Sequence, residues 1–477
     1  MPWFIAFLEG VSTLAVEIIA IRQAIPVVGS SATLTGVVLA VILLALSAGY
    51  WHGGALSARW DRQRTQIALG RNLLIATAFY GTVSFPWEAA LLEKALDHGF
   101  ELNLAIGATS SLLFLLPVYL TSQTVPMLAE LTNLEGKAGK ASGKILFFST
   151  LGSVVGGILT PVWMFPHWGV RRTTYVVCAL LLVAGCAALA RSSVSAAAAA
   201  GAVVVVLIAA VSVVNSTRQP GFSFDSAYQS FRVVTADSGD GRLERVMLLG
   251  GGRASGIYVD DGETSFSYIR ETENRLRDAH ASEVLVIGAA GFTFPRDAAG
   301  MPGVTRVDAV DVDPAVKRIA ETEFLLQPLP SQVHFFPMSA RYALHRLRQD
   351  GHHYGFAFVD AYYGKGIPPE LLTTEFFADV AAVADRTVVN VIMDRKLEST
   401  FANNLLASFR DAFHAAWVKP VPRADEDDDE AVTINNLVSN WPAADSTEWT
   451  GRGVVYHDDQ NSADRDWVML RWKRKEE

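Results

Sequence analysis

The chain has 477 residues and a formal charge of −9, with half of its residues apolar and only 19% charged, below the roughly 25% of an average soluble chain. Residues 1–215 hold 12 Lys/Arg against 9 Asp/Glu, whereas residues 216–477 hold 28 against 40. This division excludes one globular fold and a disordered chain. Both cysteines, Cys178 and Cys186, lie in one apolar stretch, which excludes a disulfide scaffold, and the acidic second half argues against nucleic acid, which needs a basic face.

A bilayer-spanning helix takes about 20 mainly apolar residues. That window predicts an α-helical transmembrane bundle over 1–215 with about seven spans, near 3–21, 32–56, 66–85, 103–131, 145–165, 173–190 and 193–214. Glu9 and Glu17 interrupt the first, which has no basic start and no small-residue cleavage site, so it is expected to be retained as a span. Pro117 and Pro126 predict a kink in the fourth.

Arg59, Arg62, Arg64, Lys137, Lys140, Lys144 and Arg191 fall in loops that alternate with the acidic stretch 86–102. The positive-inside rule then puts the N-terminus in the cytoplasm. Seven spans would carry the second half to the far side, and one span fewer would return it, so its side stays open. Glu17, with Arg22 five residues on, is either a functional group within the membrane or half of a structural pair.

After a short polar linker at 215–221 the pattern turns to short alternating segments. FRVVTAD, RVMLLGG and SGIYVDD predict a small antiparallel β-sheet within 216–280. From 281 to 477 the order is strand, turn, helix. EVLVIGAAG is a buried strand entering a glycine turn, and RVDAVDVDP is a second strand, followed by a helix over PAVKRIAETEFL. VHFFPM, YGFAFVDAYYG and TVVNVIM supply three more strands. Alternating strands and helices predict a parallel, doubly wound, Rossmann-like α/β domain, with ligands bound outside the strand C-termini.

The candidate residues cluster at those ends. Gly288 and Gly291 allow a tight turn and close approach of a ligand. Asp311 closes the second strand, where an acid accepts hydrogen bonds from ribose hydroxyls. Asp313, before Pro314, reads as a helix cap. Asp360 closes the fourth strand and is a candidate general base. His334, His352 and His353 have no partners at ligand spacing, and no metal site is assigned. The run Asp425–Glu430 reads as a solvated acidic loop, and Arg471–Lys475 as the exposed end of a final strand.

The sequence resembles the spermidine synthases, or polyamine aminopropyltransferases, in the bacterial branch that fuses a multispan membrane region to the synthase domain. In the first half the resemblance rests on FLEGVSTLAVEIIAIRQ, the turn Gly29-Ser-Ser31 and LAVILLALSAGYWHGGALSARWDR. In the second it rests on SAYQSFRVV, FSYIRE, VLVIGAAG, VDAVDVDP and FVDAYYGKGIPPELLTTEFF, in the family's order. It implies a multi-pass protein of the bacterial inner membrane, a homodimer formed through the synthase domain, and no tightly bound cofactor. The implied substrates are decarboxylated S-adenosylmethionine and a polyamine or other amine, with methylthioadenosine as product. By the resemblance, Gln229 contacts the sulfur nucleoside, Tyr268 lines the amine site, Asp311 binds the ribose and Asp360 is the base.

Departures from the family pattern are as specific. Gly291 stands where the family has an Asp that holds the donor's amine, and Ser339 where it has the Asp that reads adenine. Ile269 and Arg270 replace a Gln or His and a Glu on the acceptor side, and Tyr363 replaces the second Asp of the loop after the fourth strand. A dicationic diamine needs carboxylates at both ends, because burying an unpaired ammonium is costly. These losses point to an acceptor other than plain putrescine. They equally fit a non-catalytic domain that binds a polyamine or nucleoside as a sensor or as part of a transporter. A methyltransferase on the same sheet is the third reading, although GAAGFT is a poor match to that class's glycine loop.

Overall fold

The structure, a computed structural model, describes residues 1–28, 32–133, 138–217, 222–226, 228–238, 241–363, 366–422 and 433–473. The turn at 29–31, Lys137, the linker from 218 to 221, the acidic run 425–430 and residues 474–475 lie outside them. The chain divides into two compact units. One comprises Met1–Val27, Ala32–Pro220 and Asp225–Ala227, the other Val28–Ser31, Gly221–Phe224 and Tyr228–Glu477.

The first unit is helical. Among the described residues, five helical stretches are long and apolar enough to cross a membrane: Pro2–Val28, Thr33–Ser57, Leu102–Thr132, Ala138–Leu189 and Val194–Val214. The fifth and sixth predicted spans fall together in Ala138–Leu189, a run of 52 residues. The third predicted span forms the helix Arg62–Phe79, which carries Gln66, Arg71 and Asn72 and is not among the five. The fourth breaks at Gln123, between the helices Leu102–Ser122 and Thr124–Thr132. Pro117 stays inside the first of these and Pro126 enters the first turn of the second, where a missing N–H costs no hydrogen bond.

Two π-turns share one cause. At Tyr80–Ser84 the N–H of Phe85 reaches back to the Tyr80 carbonyl, and at Thr160–Met164 that of Phe165 reaches the Thr160 carbonyl. Each is followed by a proline, Pro86 or Pro166, whose ring and missing N–H disturb the preceding turn and widen it by one residue. Elsewhere two helices meet backbone to backbone. A Cβ at Gly10 would lie 1.9 Å from the Ser149 carbonyl oxygen, and one at Gly152 would lie 2.1 Å from that of Phe7. At this crossing Glu9, 1% exposed, accepts hydrogen bonds from Thr13 Oγ1 at 3.0 Å and Ser149 Oγ at 2.9 Å.

The second unit begins with a four-stranded sheet in sequence order: β1 (Phe222–Asp225), β2 (Ser230–Asp237), β3 (Leu243–Leu249) and β4 (Gly252–Tyr258). A larger sheet follows, built of β5 (Glu283–Ile287), β6 (Arg306–Asp311), β7 (Val333–Pro337), β8 (Tyr354–Val359), β9 (Ala384–Asp394), β10 (Trp417–Val421), β11 (Thr433–Ser439) and β12 (Thr447–Glu448). Its order is β12-β10-β11-β9-β8-β5-β6-β7. β7, β6, β5, β8 and β9 are parallel, and β11 runs antiparallel to β9 and β10. This is a Rossmann-like sheet. Val284, Leu285, Val286 and Ile287 of β5 are all buried, as expected of a central strand covered on both faces.

The second unit departs from the reading of the sequence in several places, among them β1, which adds a fourth strand to the three expected in the small sheet. The Arg471 end is not a strand: Ala463–Lys473 forms a helix. β10 to β12 were not predicted, because Pro420 within β10 and Asn435-Asn436 within β11 are poor strand formers. β11 is a strand because β9 supplies hydrogen-bonding partners across the register Thr433↔Asp394 to Ser439↔Val388, and β10 pairs in turn with β11, and β12 with β10.

Candidate functional site

The strand order reverses between β5 and β8, and a doubly wound sheet opens a crevice at the C-terminal side of that point. Gly288 follows β5 there with φ +91°. A Cβ on it would lie 2.2 Å from the Asp360 carbonyl oxygen, so only glycine fits both the conformation and the space. The turn continues through Ala290 at φ +41° and Phe292 at φ +57°. Such left-handed non-glycine residues store strain and cluster at functional loops.

Asp360 directly follows β8. Its N–H donates to the Ile287 carbonyl at 2.8 Å, which ties it to the end of β5. Its Oδ2 accepts from the Tyr268 hydroxyl at 2.9 Å, and its Oδ1 from Asn390 Nδ2 at 2.8 Å. Tyr268 lies in the first turn of the helix Ser267–Ala279, and Asn390 in β9. Burial pushes the Asp360 carboxyl up to about 6, against the pull of these two donors. A carboxylate in that range is a stronger base than an ordinary Asp and is still mostly ionised at neutral pH.

Asp311 closes β6. Its Oδ2 accepts from the N–H groups of Ala289, at 3.2 Å, and Ala290, at 3.5 Å, and its Oδ1 from that of Asp313 at 3.0 Å. It thereby holds the turn after β5. Burial, helped by the neighbouring Asp313 charge and opposed by the backbone donors, pushes its carboxyl up to about 6. A carboxylate offers about four lone-pair sites, so this turn does not exhaust its accepting capacity. Asp313 is fully buried and accepts from the Ala315 N–H at 3.0 Å, in the turn before the helix Val316–Ile319; the N-cap of that helix is Ala315, with no side-chain hydrogen bond, so Asp313 is not the helix cap expected of it.

The other predicted residues are placed as follows. Ser339 caps the helix Ala340–Gln349, accepting from the Tyr342 N–H at 3.4 Å. The adjacent Met338 N–H donates to the Asp311 carbonyl at 3.0 Å, which brings Ser339 beside the end of β6. Gln229 is buried just before β2. Tyr363 donates its hydroxyl to the carbonyl of Tyr228, the residue before Gln229, so the loop after Asp360 meets the Gln229 segment. Arg270, in the helix Ser267–Ala279, donates back to the Thr264 carbonyl at 2.7 Å and to Ser267 Oγ at 3.4 Å, tying the helix start to the segment before it. Gly291 donates its N–H to Ser255 Oγ at 2.9 Å. A Cβ there would lie 2.5 Å from the Phe324 ring and 2.6 Å from Ser255 Cβ, so the space beside Gly291 is already filled.

Reading the sequence missed Asn390 and Tyr362. The Tyr362 hydroxyl accepts from the Ile392 N–H at 3.0 Å and donates to the Asn390 carbonyl at 3.3 Å, and burial raises its proton affinity well above that of an ordinary tyrosine. The signal for Asn390 was a single amide in the apolar run TVVNVIM.

A polyamine aminopropyltransferase of Vibrio vulnificus is 29% identical to this chain over 170 residues, 34% of this chain and 54% of that protein. The chain is similar to that enzyme in sequence over this stretch. It spans about half the length of the curated relative it matches. A probable spermidine synthase from Corynebacterium glutamicum is similar over 53% of this chain and 94% of its own, with 16% identity and a TM-score of 0.38. Spermidine synthase from Thermotoga maritima is similar over 50% and 81%, with 14% identity and a TM-score of 0.36. No family model matches the chain.

Proposed function

We propose that this chain is a membrane-attached transferase that moves an aminopropyl group from decarboxylated S-adenosylmethionine, or a related sulfonium nucleoside, to an amine other than putrescine. The observation that carries the reading is the Asp360 carboxylate at the strand switch point, hydrogen-bonded to Tyr268 and raised by burial to about 6. In the proposed reaction the amine nitrogen attacks the carbon next to the sulfonium. The new C–N bond forms as the C–S bond breaks, methylthioadenosine leaves, and the amine's proton passes to Asp360. Asp311 takes the ribose hydroxyls, Gln229 and Ser339 flank the nucleoside, and Gly288 lets it approach the backbone.

On the acceptor side Tyr363 and Arg270 supply no carboxylate, and Ile269 is buried in the core. A monocation suits one carboxylate better than a dication does. The five long apolar helices support membrane attachment.

The test is to incubate the full chain in detergent micelles with decarboxylated S-adenosylmethionine and a panel of amines, and to assay by mass spectrometry. Methylthioadenosine with an aminopropylated amine is the expected result. Neither product with any amine would end the reading. The filled space beside Gly291 favours a second reading, in which the domain binds a polyamine or nucleoside without transfer; that reading requires binding with no change in ligand mass.

A further inference from the structure

Asn390 is 2% exposed and is the single polar side chain in the run Val388-Val-Asn-Val-Ile392 of β9. The parallel pairing of Val359 with Val389 sets it level with Asp360, one residue beyond β8. Its Nδ2 donates to Asp360 Oδ1 at 2.8 Å. Its Oδ1 is buried and meets no donor among the described residues. Leaving an amide oxygen buried without a donor is destabilising, and an apolar residue at this strand position would avoid it.

We propose that Asn390 is a positioning residue for the amine: its Nδ2 fixes the Asp360 carboxylate with Oδ2 turned to Tyr268, and its Oδ1 accepts a hydrogen bond from the ammonium brought to Asp360. The identity of the cation rests on the transferase reading; the hold on Asp360 does not. A primary ammonium suits this corner because it brings three donors and a positive charge to a carboxylate and an amide oxygen without a donor. The groups facing Asp360 are Tyr268 from the helix Ser267–Ala279, Tyr362 from the loop after β8, and Asn390 from β9. Loss of the Asn390 donor removes one of two hydrogen bonds that favour the ionised carboxylate, so the proton affinity of Asp360 rises.

The test uses the full chain in detergent micelles, wild type beside Asn390→Leu and Asn390→Ala. The first readout needs no activity: the pH midpoint of carbodiimide labelling at Asp360, followed by peptide mass spectrometry. Both variants are expected to move the midpoint up by about one pH unit, the worth of one hydrogen bond to a charged group. An unmoved midpoint overturns the proposal, as does a lower melting temperature with no midpoint shift, which would make Asn390 a packing residue.

The second readout is methylthioadenosine release against pH. For Asn390→Leu the KM for the amine is expected to rise about tenfold, with methylthioadenosine affinity unchanged. An unchanged KM overturns the role of Oδ1. A wild type that releases no methylthioadenosine while the midpoints still shift removes the transferase reading and the amine's place at Oδ1, and leaves the positioning of Asp360 standing.

Discussion

The Tyr268 hydroxyl donates to Asp360 Oδ2 across 2.9 Å, joining the first turn of one helix to the end of β8, 92 residues later in the chain. Tyr268 is 8% exposed and its ring packs on Phe266 with centroids 5.6 Å apart. The contact therefore holds a carboxylate at the mouth of the crevice from a side chain that has little freedom to leave.

Tyr268→Phe keeps the ring and removes the donor. With one less hydrogen bond to the ionised form, Asp360 titrates above its present value of about 6. The rate of the proposed transfer, which uses the carboxylate, is expected to fall at neutral pH, and its acid limb to move up by about one pH unit. A pH–rate profile of kcat/KM checks both; an acid limb left in place would separate Tyr268 from the base.

Asp360→Asn should stabilise the fold at neutral pH. The folded carboxyl is raised from 3.8 to about 6, so between those values the folded state binds more protons than the unfolded one. Stability is then lost as pH rises through that window, by on the order of 2–3 kcal/mol. The melting temperature of Asp360→Asn is expected to exceed that of wild type at pH 7.5, with the gap shrinking towards pH 4. Thermal melts followed by tryptophan fluorescence measure it, and a gap that does not change with pH would contradict the burial argument.

Asp311→Ala should raise the Kd for methylthioadenosine by about a hundredfold or more, because two ribose hydroxyls lose a charged acceptor and the turn at Ala289 loses its anchor. Asp311→Asn, which keeps an acceptor of the same shape, should bind with an intermediate Kd. Titration calorimetry on the full chain separates the three proteins, and equal affinities would take Asp311 out of the nucleoside site.

Gly291→Asp restores the acid implied by the family resemblance, and it should fail to improve transfer. The new side chain would have to displace the Phe324 ring and Ser255, an overpacking that costs about 1–3 kcal/mol. A lower melting temperature and no gain in kcat are expected. A variant of undiminished stability would show that the Phe324 ring yields readily.

The transferase reading needs residues 216–477 on the side of the membrane that holds the donor. Asp428→Cys, made in a background lacking Cys178 and Cys186, gives one addressable thiol. A membrane-impermeant maleimide is expected to label it only after cell lysis; labelling of intact cells would favour the binding reading.

Much of the architecture was legible because it rests on local pattern. Apolar runs of helix length announced the first half. The five parallel strands of the large sheet announced themselves by short buried segments ending in Gly288, Asp311 and Asp360. The antiparallel strands at β10 to β12 did not, because Pro420 and the Asn435-Asn436 pair hide them; β11 finds its partner in β9, tens of residues away, and β10 and β12 add onto it in turn. Asn390 was hidden for the same reason. Its amide has meaning only beside Asp360, and the register of two parallel strands brings the two together.

By itself, the sequence determined the division into an apolar and an acidic half, the order of the strands along the chain, and the acids at the strand ends. These follow from composition and periodicity, which act over a few residues. The tertiary structure alone decided which groups face one another: Tyr268 and Asn390 on the two oxygens of Asp360, the Ala289–Ala290 turn on Asp311, Phe324 against Gly291, and Tyr363 on the Tyr228 carbonyl. Hydrogen bonds and close packing act over a few ångströms in space, so such pairings depend on sheet order and register.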